Sequence, residues 1–184
     1  MLSYAVIGIF GLGVGWAFWT YNSLIRHVNL VSEGWSGIDA QLKRRANLIP
    51  NLVEAVKGYA AHEKETLATV TKLRVERDQD GSVAARAIRE GQLGAAMGKL
   101  IAIAEDYPDL KASENFLDLQ NALAEVEDQI QMARRYYNGT VRNLNTMIEQ
   151  VPSNIIAGAF NFQKAEFFEI EDAADRAVPN VSLS

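Results

Sequence analysis

The 184-residue sequence lacks cysteine altogether and contains only two histidines, His27 and His62. Without cysteine the chain can form no disulfide, thiolate nucleophile, iron–sulfur cluster or zinc–thiolate site. Two histidines leave little material for a Ser–His–Asp triad or a multi-histidine metal site. We therefore expect no enzymatic activity, no catalytic residues, and no bound cofactor or metal.

An excess of positive charge is also absent. Lys and Arg total 18 against 23 Asp and Glu, which gives a formal net charge of -5. A nucleic-acid partner is not expected, because phosphate contacts require clustered positive charge. The glycine-rich run of residues 8–15 ends in Trp16-Ala17, where a phosphate-binding loop carries Lys-Ser or Lys-Thr. We therefore expect no small-molecule substrate either.

Charge is missing from the N-terminal segment, since the first charged side chain is Arg26. About 20 apolar residues in a helix rising ~1.5 Å each cross a hydrocarbon layer of ~30 Å. We predict an uncleaved transmembrane anchor over residues 1–25, with aromatic rings at the membrane interface near its C-terminal end. The residues assigned to this anchor are Ile7, Phe10, Leu12, Trp16 and Trp19.

A cleaved signal peptide is the alternative for this segment. The anchor is favoured because no Lys or Arg precedes the apolar run and Ala17-Phe18-Trp19-Thr20 is a poor cleavage site. Positive residues, Arg26 and then Lys43-Arg44-Arg45, follow the run, and such residues favour the cytoplasmic side. The prediction is a single-pass protein of the inner or plasma membrane, with a short N-terminus outside and the body in the cytoplasm.

Gly11 and Gly15 form a small-xxx-small pair inside the predicted anchor. Such a pair lets two helices pack closely in a membrane, which makes these glycines candidates for self-association. Glycine is also common in single spans, so a chance occurrence is the competing interpretation.

The remaining sequence has the spacing of long helices. Apolar residues recur at alternating steps of three and four, the pattern of a coiled-coil seam or a bundle core. Pro50 is predicted to end the first helix or to open the second, which then runs from about Leu52. A third helix precedes Pro108, and a fourth covers 113–150. Gly34 and Gly37 are expected to weaken the first helix locally, because glycine is a poor helix former.

No useful β-type alternation is present, so the predicted fold class is all-α. We predict a single N-terminal transmembrane helix that continues into a long antiparallel four-helix, coiled-coil-like bundle. The predicted organisation is an anchor over 1–25, a bundle over 26–151, and a C-terminal segment over 152–184 that is first aromatic and then acidic.

The C-terminal segment has two interpretations. If the four helices run alternately away from and toward the bilayer, Pro152 lies near the membrane, and the residues after it can touch lipid or a neighbouring subunit. The segment can equally pack back on the bundle as a cap, and its acidic residues would be repelled by anionic lipid. The candidate membrane or partner contacts are Ile155, Ile156, Phe160, Phe162, Phe167 and Phe168.

Other polar patterns carry weaker signals. His62-Glu63-Lys64-Glu65-Thr66 begins like a zinc-protease motif, but Thr66 stands where the second histidine is needed. Glu125, Glu127 and Asp128 lack the Glu-x-x-His pairs of a di-iron bundle. The two basic clusters, 43–45 and 134–135, are interpreted as solvated helix faces, with lipid or partner contact as the alternative. Asn138 and Asn145 are candidates for polar groups that determine helix register.

A set of segments distributed in order along nearly the whole chain forms a recognisable pattern. These segments are Tyr21-Asn22-Ser23-Leu24, Trp35-Ser36 with Ile38-Asp39, Gln41-Leu42-Lys43-Arg44-Arg45 through Leu48-Ile49-Pro50-Asn51-Leu52-Val53, Val56-Lys57-Gly58-Tyr59-Ala60 with His62-Glu63, Tyr107-Pro108-Asp109-Leu110-Lys111, Asn115-Phe116 with Leu119-Gln120, Ala133-Arg134-Arg135-Tyr136-Tyr137-Asn138 with Val141 and Asn145, and Pro152-Ser153-Asn154. Together they resemble proteins of the LemA family. The resemblance implies a single-pass membrane protein with a cytoplasmic antiparallel helical bundle and no established enzymatic activity.

These observations favour a non-catalytic, membrane-anchored helical scaffold of the bacterial envelope, which self-associates and organises or shapes membrane. Its expected partners are the lipid bilayer and other copies of itself. The alternative is an adaptor or regulator bound through the bundle to another membrane protein, such as a protease or sensor. An enzyme is the least favoured hypothesis, because no nucleophile–base pair or metal set is present.

Overall fold

The computed structural model describes residues 2–60, 62–76 and 81–169, except for the side chains of residues 2 and 5. Within these ranges the chain forms helices and turns and no strand, which confirms the all-α prediction. The helices are α1 (Leu2–Lys57), α2 (Lys64–Glu76), α3 (Val83–Glu105), α4 (Pro108–Lys111), α5 (Glu114–Glu149) and α6 (Ser153–Ala159).

The described chain divides into two compact units. The first unit combines the residues up to Ile38 with Ala133–Phe167, and the second combines Asp39–Met132 with residues 168–169. Helices α1 and α5 each contribute one part to either unit. The predicted boundaries after residues 25 and 151 remain sequence predictions.

An antiparallel pair of helices forms the first unit. Ser23 Oγ on α1 lies 3.8 Å from Met147 Sδ on α5, and the rings of Trp35 and Tyr137 lie 5.7 Å apart. Residue numbers therefore increase along α1 in the direction in which they decrease along α5, so the two helices are antiparallel. The two helices and α6 share an apolar core that contains Leu24, Leu144, Ala157 and the partly buried Val31, Met147, Ile148, Ile156, Phe162 and Ala165.

Helices α1 and α5 pack closely at Gly34. A β-carbon on Gly34 would lie 3.2 Å from the Tyr137 Cα and 3.4 Å from the Thr140 Oγ1. Helix α1 passes unbroken through Gly34 and Gly37. The cost of glycine to helix formation is offset here by packing that only a residue without a side chain permits.

The second unit is a helical bundle, as predicted. The C-terminal part of α1, the N-terminal part of α5, and α2 and α3 contribute to one apolar core, which α4 closes through the buried Leu110. The other buried residues of this core are Ala46, Ile49, Leu52, Val56, Ala60, Leu67, Val70, Leu93, Ala96, Met97, Leu100, Ala104, Phe116, Leu119 and Leu123. Most of them are the stripe residues that the three- and four-residue spacing identifies.

The predicted helix boundary at Pro50 is wrong. Helix α1 continues to Lys57 with Pro50 inside it, and the next helix begins only at Lys64. Proline has no N–H, so the carbonyl of Ala46, four residues earlier, loses its usual helical donor. The Arg74 Nε, on α2, donates to that carbonyl at 3.0 Å. A guanidinium from the neighbouring helix thus supplies the hydrogen bond that proline removes.

The predicted transmembrane span is not supported. No helix in the described part of the chain combines the length and the apolar character that crossing a membrane requires. The predicted orientation in the membrane depended on this span and has no structural support.

We predict opposite effects of alanine at the two glycines of α1 in the first unit. Gly37→Ala should stabilise the protein by about 1 kcal/mol, because alanine is the better helix former and nothing lies within 4 Å of the added carbon. Gly34→Ala makes the same gain but presses on the α5 backbone, and overpacking costs about 1–3 kcal/mol. Chemical denaturation of the full chain in mild detergent, followed by circular dichroism, measures both. Equal stabilisation by both substitutions would contradict the close-packing argument.

Candidate functional site

The N-terminal part of α1 exposes apolar side chains on all sides. We call residues 4–19 the apolar segment. Four of its five predicted anchor residues, Ile7, Phe10, Leu12 and Trp19, are between 67% and 77% exposed, while Trp16 is half-buried. Successive residues of a helix point about 100° apart, so exposure at positions 4, 6, 7, 9 and 12 surrounds the helix rather than following one stripe.

The two glycines proposed for self-association lie in this segment. A β-carbon placed on Gly11 or Gly15 meets nothing within 4 Å, so the helix backbone is open at both positions. The same holds for Gly13, which lies on a different side of the helix from Gly11.

Three aromatic rings meet just after the apolar segment. The Tyr21 ring centroid lies 4.7 Å from that of Phe160 and 5.7 Å from that of Phe162. We call these three residues the aromatic cluster. Tilted and edge-on contacts at these separations stabilise a pair beyond the burial of its surface.

Local hydrogen bonds bring the C-terminal residues to this place. The Ser153 Oγ contacts the carbonyl oxygens of Met147 (2.7 Å) and Gln150 (2.8 Å), which lie in the last turn of α5 and just beyond it. Asn161 has a φ of 55°, a left-handed conformation that asparagine tolerates, and ends α6. The Phe162 N–H then donates to the Ala157 carbonyl at 2.9 Å, which turns the chain back toward α1.

The six C-terminal candidate residues are divided between the surface and the interior. Ile156 and Phe162 pack against the core of the first unit, and Phe168 is fully buried. Phe167 is half-buried, whereas Ile155 and Phe160 are 64% and 60% exposed. The exposed set also includes Val151, at 73%, which the sequence analysis did not single out.

Side chains of α5 hold the extended residues that follow α6. Asn145 donates to the Ala165 carbonyl at 3.0 Å and accepts from its N–H at 2.9 Å, so one amide satisfies both backbone groups. The Tyr137 hydroxyl donates to the Glu166 carbonyl at 2.8 Å. Burial, and secondarily the negative charge of Glu166, raises the pKa of Tyr137. Asn145 therefore binds the C-terminal segment, whereas the sequence analysis expected it to determine helix register.

A buried charged cluster lies in the second unit. Arg45 on α1 is 3% exposed and Glu90 on α3 is fully buried, and their nearest charged atoms are 2.7 Å apart. Arg45 also donates to the Glu90 carbonyl at 3.1 Å and pairs with Glu127 of α5 at 2.9 Å. One guanidinium thus connects three helices.

Arg45 was expected on a solvated face, and this is wrong. Its neighbour Arg44 follows the expectation, since it forms an exposed pair with Glu125 at 3.1 Å. The missed signal is the position of the two buried charges on apolar stripes. Arg45 follows Leu42 by three residues, and Glu90 precedes Leu93 by three.

A second polar contact joins α1 to α3. Asp39 pairs with Lys43 of its own helix at 2.6 Å and with Arg86 of α3. Burial alone would raise the pKa of Asp39, but the hydrogen bonds and charges of Lys43 and Arg86 outweigh it, and the net pKa is lowered. The carboxylate therefore stabilises the folded unit at neutral pH, and this contribution is lost as the pH falls below the ordinary value of 3.8 through the folded pKa.

No catalytic or metal-binding arrangement is formed by the residues that the structure describes. His62 is exposed, and the His27 Nδ1 lies 2.8 Å from the Ser23 carbonyl of its own helix. Glu125 and Glu127 each pair with an arginine, and no group of three His, Asp or Glu residues converges within the described ranges. The charged side chains at these sites connect helices.

We predict that replacing only one partner of the Arg45–Glu90 contact destabilises the protein strongly, whereas replacing both partners costs much less. Arg45→Met removes the guanidinium from a fully buried carboxylate, and such a change typically costs about 3–5 kcal/mol. Arg45→Met combined with Glu90→Met should recover most of that loss, because two apolar side chains fill the site without a buried charge. Urea denaturation of the full chain in mild detergent measures both variants. A double variant no more stable than the single one would show that the pair itself is needed.

The comparison with known proteins supports the family resemblance. The sequence matches the family model described as LemA family over residues 34–183. Protein LemA of Metamycoplasma hominis is 27% identical, over 89% of this chain and 77% of that protein. Magnetosome protein MamQ 1 of Paramagnetospirillum magneticum and MamQ of Magnetospirillum gryphiswaldense are each 24% identical, over 86% of this chain and 68% of theirs. The chain belongs to the LemA family.

Proposed function

We propose that this protein is a non-catalytic, membrane-associated helical scaffold that binds lipid through the apolar segment and self-associates to organise membrane. The observation that carries the proposal is the exposure of the apolar segment around the whole circumference of α1. Contiguous exposed apolar surface of this kind marks a site of contact with another protein or with a membrane. A helix that is apolar all round is typical of a buried or lipid-embedded environment.

Lipid is favoured as that phase by the order of side chains along α1. The uncharged apolar segment comes first, the aromatic Trp19 and Tyr21 follow, and the exposed Arg26 comes about one turn later. Membrane proteins show this same order from the hydrocarbon through the interface to the charged headgroups.

The non-catalytic part of the proposal is supported by the roles of the charged residues. In the second unit the buried or partly buried carboxylates Asp39, Glu90 and Glu127 all pair with arginines of neighbouring helices. Groups engaged in this way hold helices together and are poorly placed to accept a proton from a substrate or to ligate a metal. The relatives are named as LemA and magnetosome proteins, and neither name refers to a reaction.

Lipid binding is tested by flotation of the purified full chain with vesicles of phosphatidylcholine and phosphatidylglycerol. The wild type should float, and Phe10→Glu with Leu12→Glu should weaken binding by at least tenfold, because a charge costs about 2.5–3.5 kcal/mol inside the hydrocarbon layer. Val75→Glu is the matched control, since Val75 is equally exposed but lies on α2. Failure of the wild type to float would overturn the proposal.

Self-association is tested by mass-calibrated light scattering in detergent. We expect an oligomer that Gly11→Ile with Gly15→Ile dissociates, because the added side chains separate helix backbones that the glycines let approach. Gly13→Ile is the matched control, since its backbone is equally open but lies on a different side of the helix.

A monomeric wild type would contradict the scaffold. It would favour the alternative of an adaptor or regulator of another membrane protein, and cross-linking in native membranes would then yield one foreign partner instead of a ladder of homo-oligomers.

A further inference from the structure

We infer that the exposed apolar edge formed by Val151, Ile155 and Phe160 is a second lipid contact, which rests on the membrane interface beside the apolar segment. This inference rests on the proposed function, because it takes the apolar segment to be in lipid. It adds a separate surface, at the opposite end of the sequence, and identifies the membrane as its partner. We call the three residues the C-terminal edge.

The aromatic cluster joins the C-terminal edge to the apolar segment. Phe160 belongs to the edge and contacts Tyr21, which lies two residues beyond the end of the apolar segment. Deeper in the first unit, Ser23 contacts Met147 and Leu24 shares a core with Ala157 of α6. Helix α6 therefore lies beside residues 21–24 of α1, directly after the apolar segment. We infer that lipid surrounding the apolar segment also contacts the C-terminal edge.

The exposure of the edge is selective, which argues against a simple lack of apolar packing. Neighbouring residues of the same short segment, Ile156, Ala157 and Phe162, pack inward against the core of the first unit. Val151, Ile155 and Phe160 stay between 60% and 73% exposed, although α6 is held on both sides by defined hydrogen bonds. The segment thus buries some of its apolar side chains in the core and leaves Val151, Ile155 and Phe160 exposed.

The charges near the edge are compatible with a lipid surface. Lys164 pairs with Glu149, the last residue of α5, so a positive charge lies beside that carboxylate. Arg26 is exposed on α1 about 7.5 Å along the axis from Tyr21, within the depth of a headgroup layer. Ile156, Ala157 and Phe162 cap the core of the first unit, and the C-terminal edge is the part of the segment that we assign to lipid.

The absence of cysteine from the whole chain allows a direct test. Ile155→Cys, labelled with the fluorophore NBD, reports on the C-terminal edge, and Phe10→Cys with the same label reports on the apolar segment. Ile88→Cys is the matched control, because Ile88 is also an exposed isoleucine on a helix but lies on α3. Each labelled full-length protein is mixed with vesicles of phosphatidylcholine and phosphatidylglycerol, with and without bromine on the acyl chains.

We expect brominated lipid to quench the labels at positions 10 and 155 and not the label at position 88. Quenching at 10 without quenching at 155 overturns the inference and leaves the proposed function standing. No quenching at 10 overturns the proposed function, and the inference with it. Quenching at all three positions indicates nonspecific adsorption and also overturns the inference. If the label at position 155 contacted another copy of the protein instead of lipid, bromine on the acyl chains would not quench it. Absence of quenching at 155 therefore includes this case and overturns the inference.

A second measurement uses charge in place of a label. Val151→Asp with Ile155→Asp should weaken vesicle binding by about tenfold, and Val75→Asp should leave it unchanged. Helix content and the tryptophan emission of the variants without lipid should match those of the wild type, because both edge side chains are mainly exposed. Unchanged vesicle binding in the edge variant would contradict the proposed contact.

Discussion

The close approach of α1 and α5 at Gly34 is the contact on which the first unit depends. With no side chain at that position, the Tyr137 backbone comes near enough for the Trp35 and Tyr137 rings to pack. The same pairing brings the end of α5 beside residues 21–24 of α1, where α6 and the aromatic cluster close the unit. Dispersion between well-packed groups is weak for each atom pair and large in sum, so such a contact positions everything around it.

The second unit depends on two arginines that satisfy groups which would otherwise be costly to bury. Arg74 donates to the Ala46 carbonyl that Pro50 leaves without its helical partner, and this keeps α1 continuous to Lys57. Arg45 compensates the buried charge of Glu90 and reaches Glu127 on a third helix. Both contacts link residues far apart in sequence. The first is partly buried and the second is buried, and removing one side of such a contact costs more than its formation gains.

The functional surface results from what these contacts leave uncovered. Leu24 and Ala157 are buried in the first unit, whereas the apolar segment before them and the C-terminal edge beside them remain exposed. Apolar surface that is not buried in the core of a unit indicates a contact with another protein or a membrane. Because no charged side chain precedes Arg26, we propose lipid as the partner. In the second unit the carboxylates of Asp39, Glu90 and Glu127 join helices through arginines.

The sequence alone determined the helical class, the limits of the last long helix, most core residues and the family. Helical periodicity is a property of the local sequence, and the absence of cysteine is a property of composition, so neither requires knowledge of the tertiary structure. Only the tertiary structure decided how Pro50 is tolerated, why glycine stands at position 34, and that Arg45 is buried. Each of these depends on residues distant in sequence, and no local pattern identifies those residues. The same limit applies to the C-terminal segment, where sequence could name the apolar residues but only packing separated those that cap the core from those that face outward.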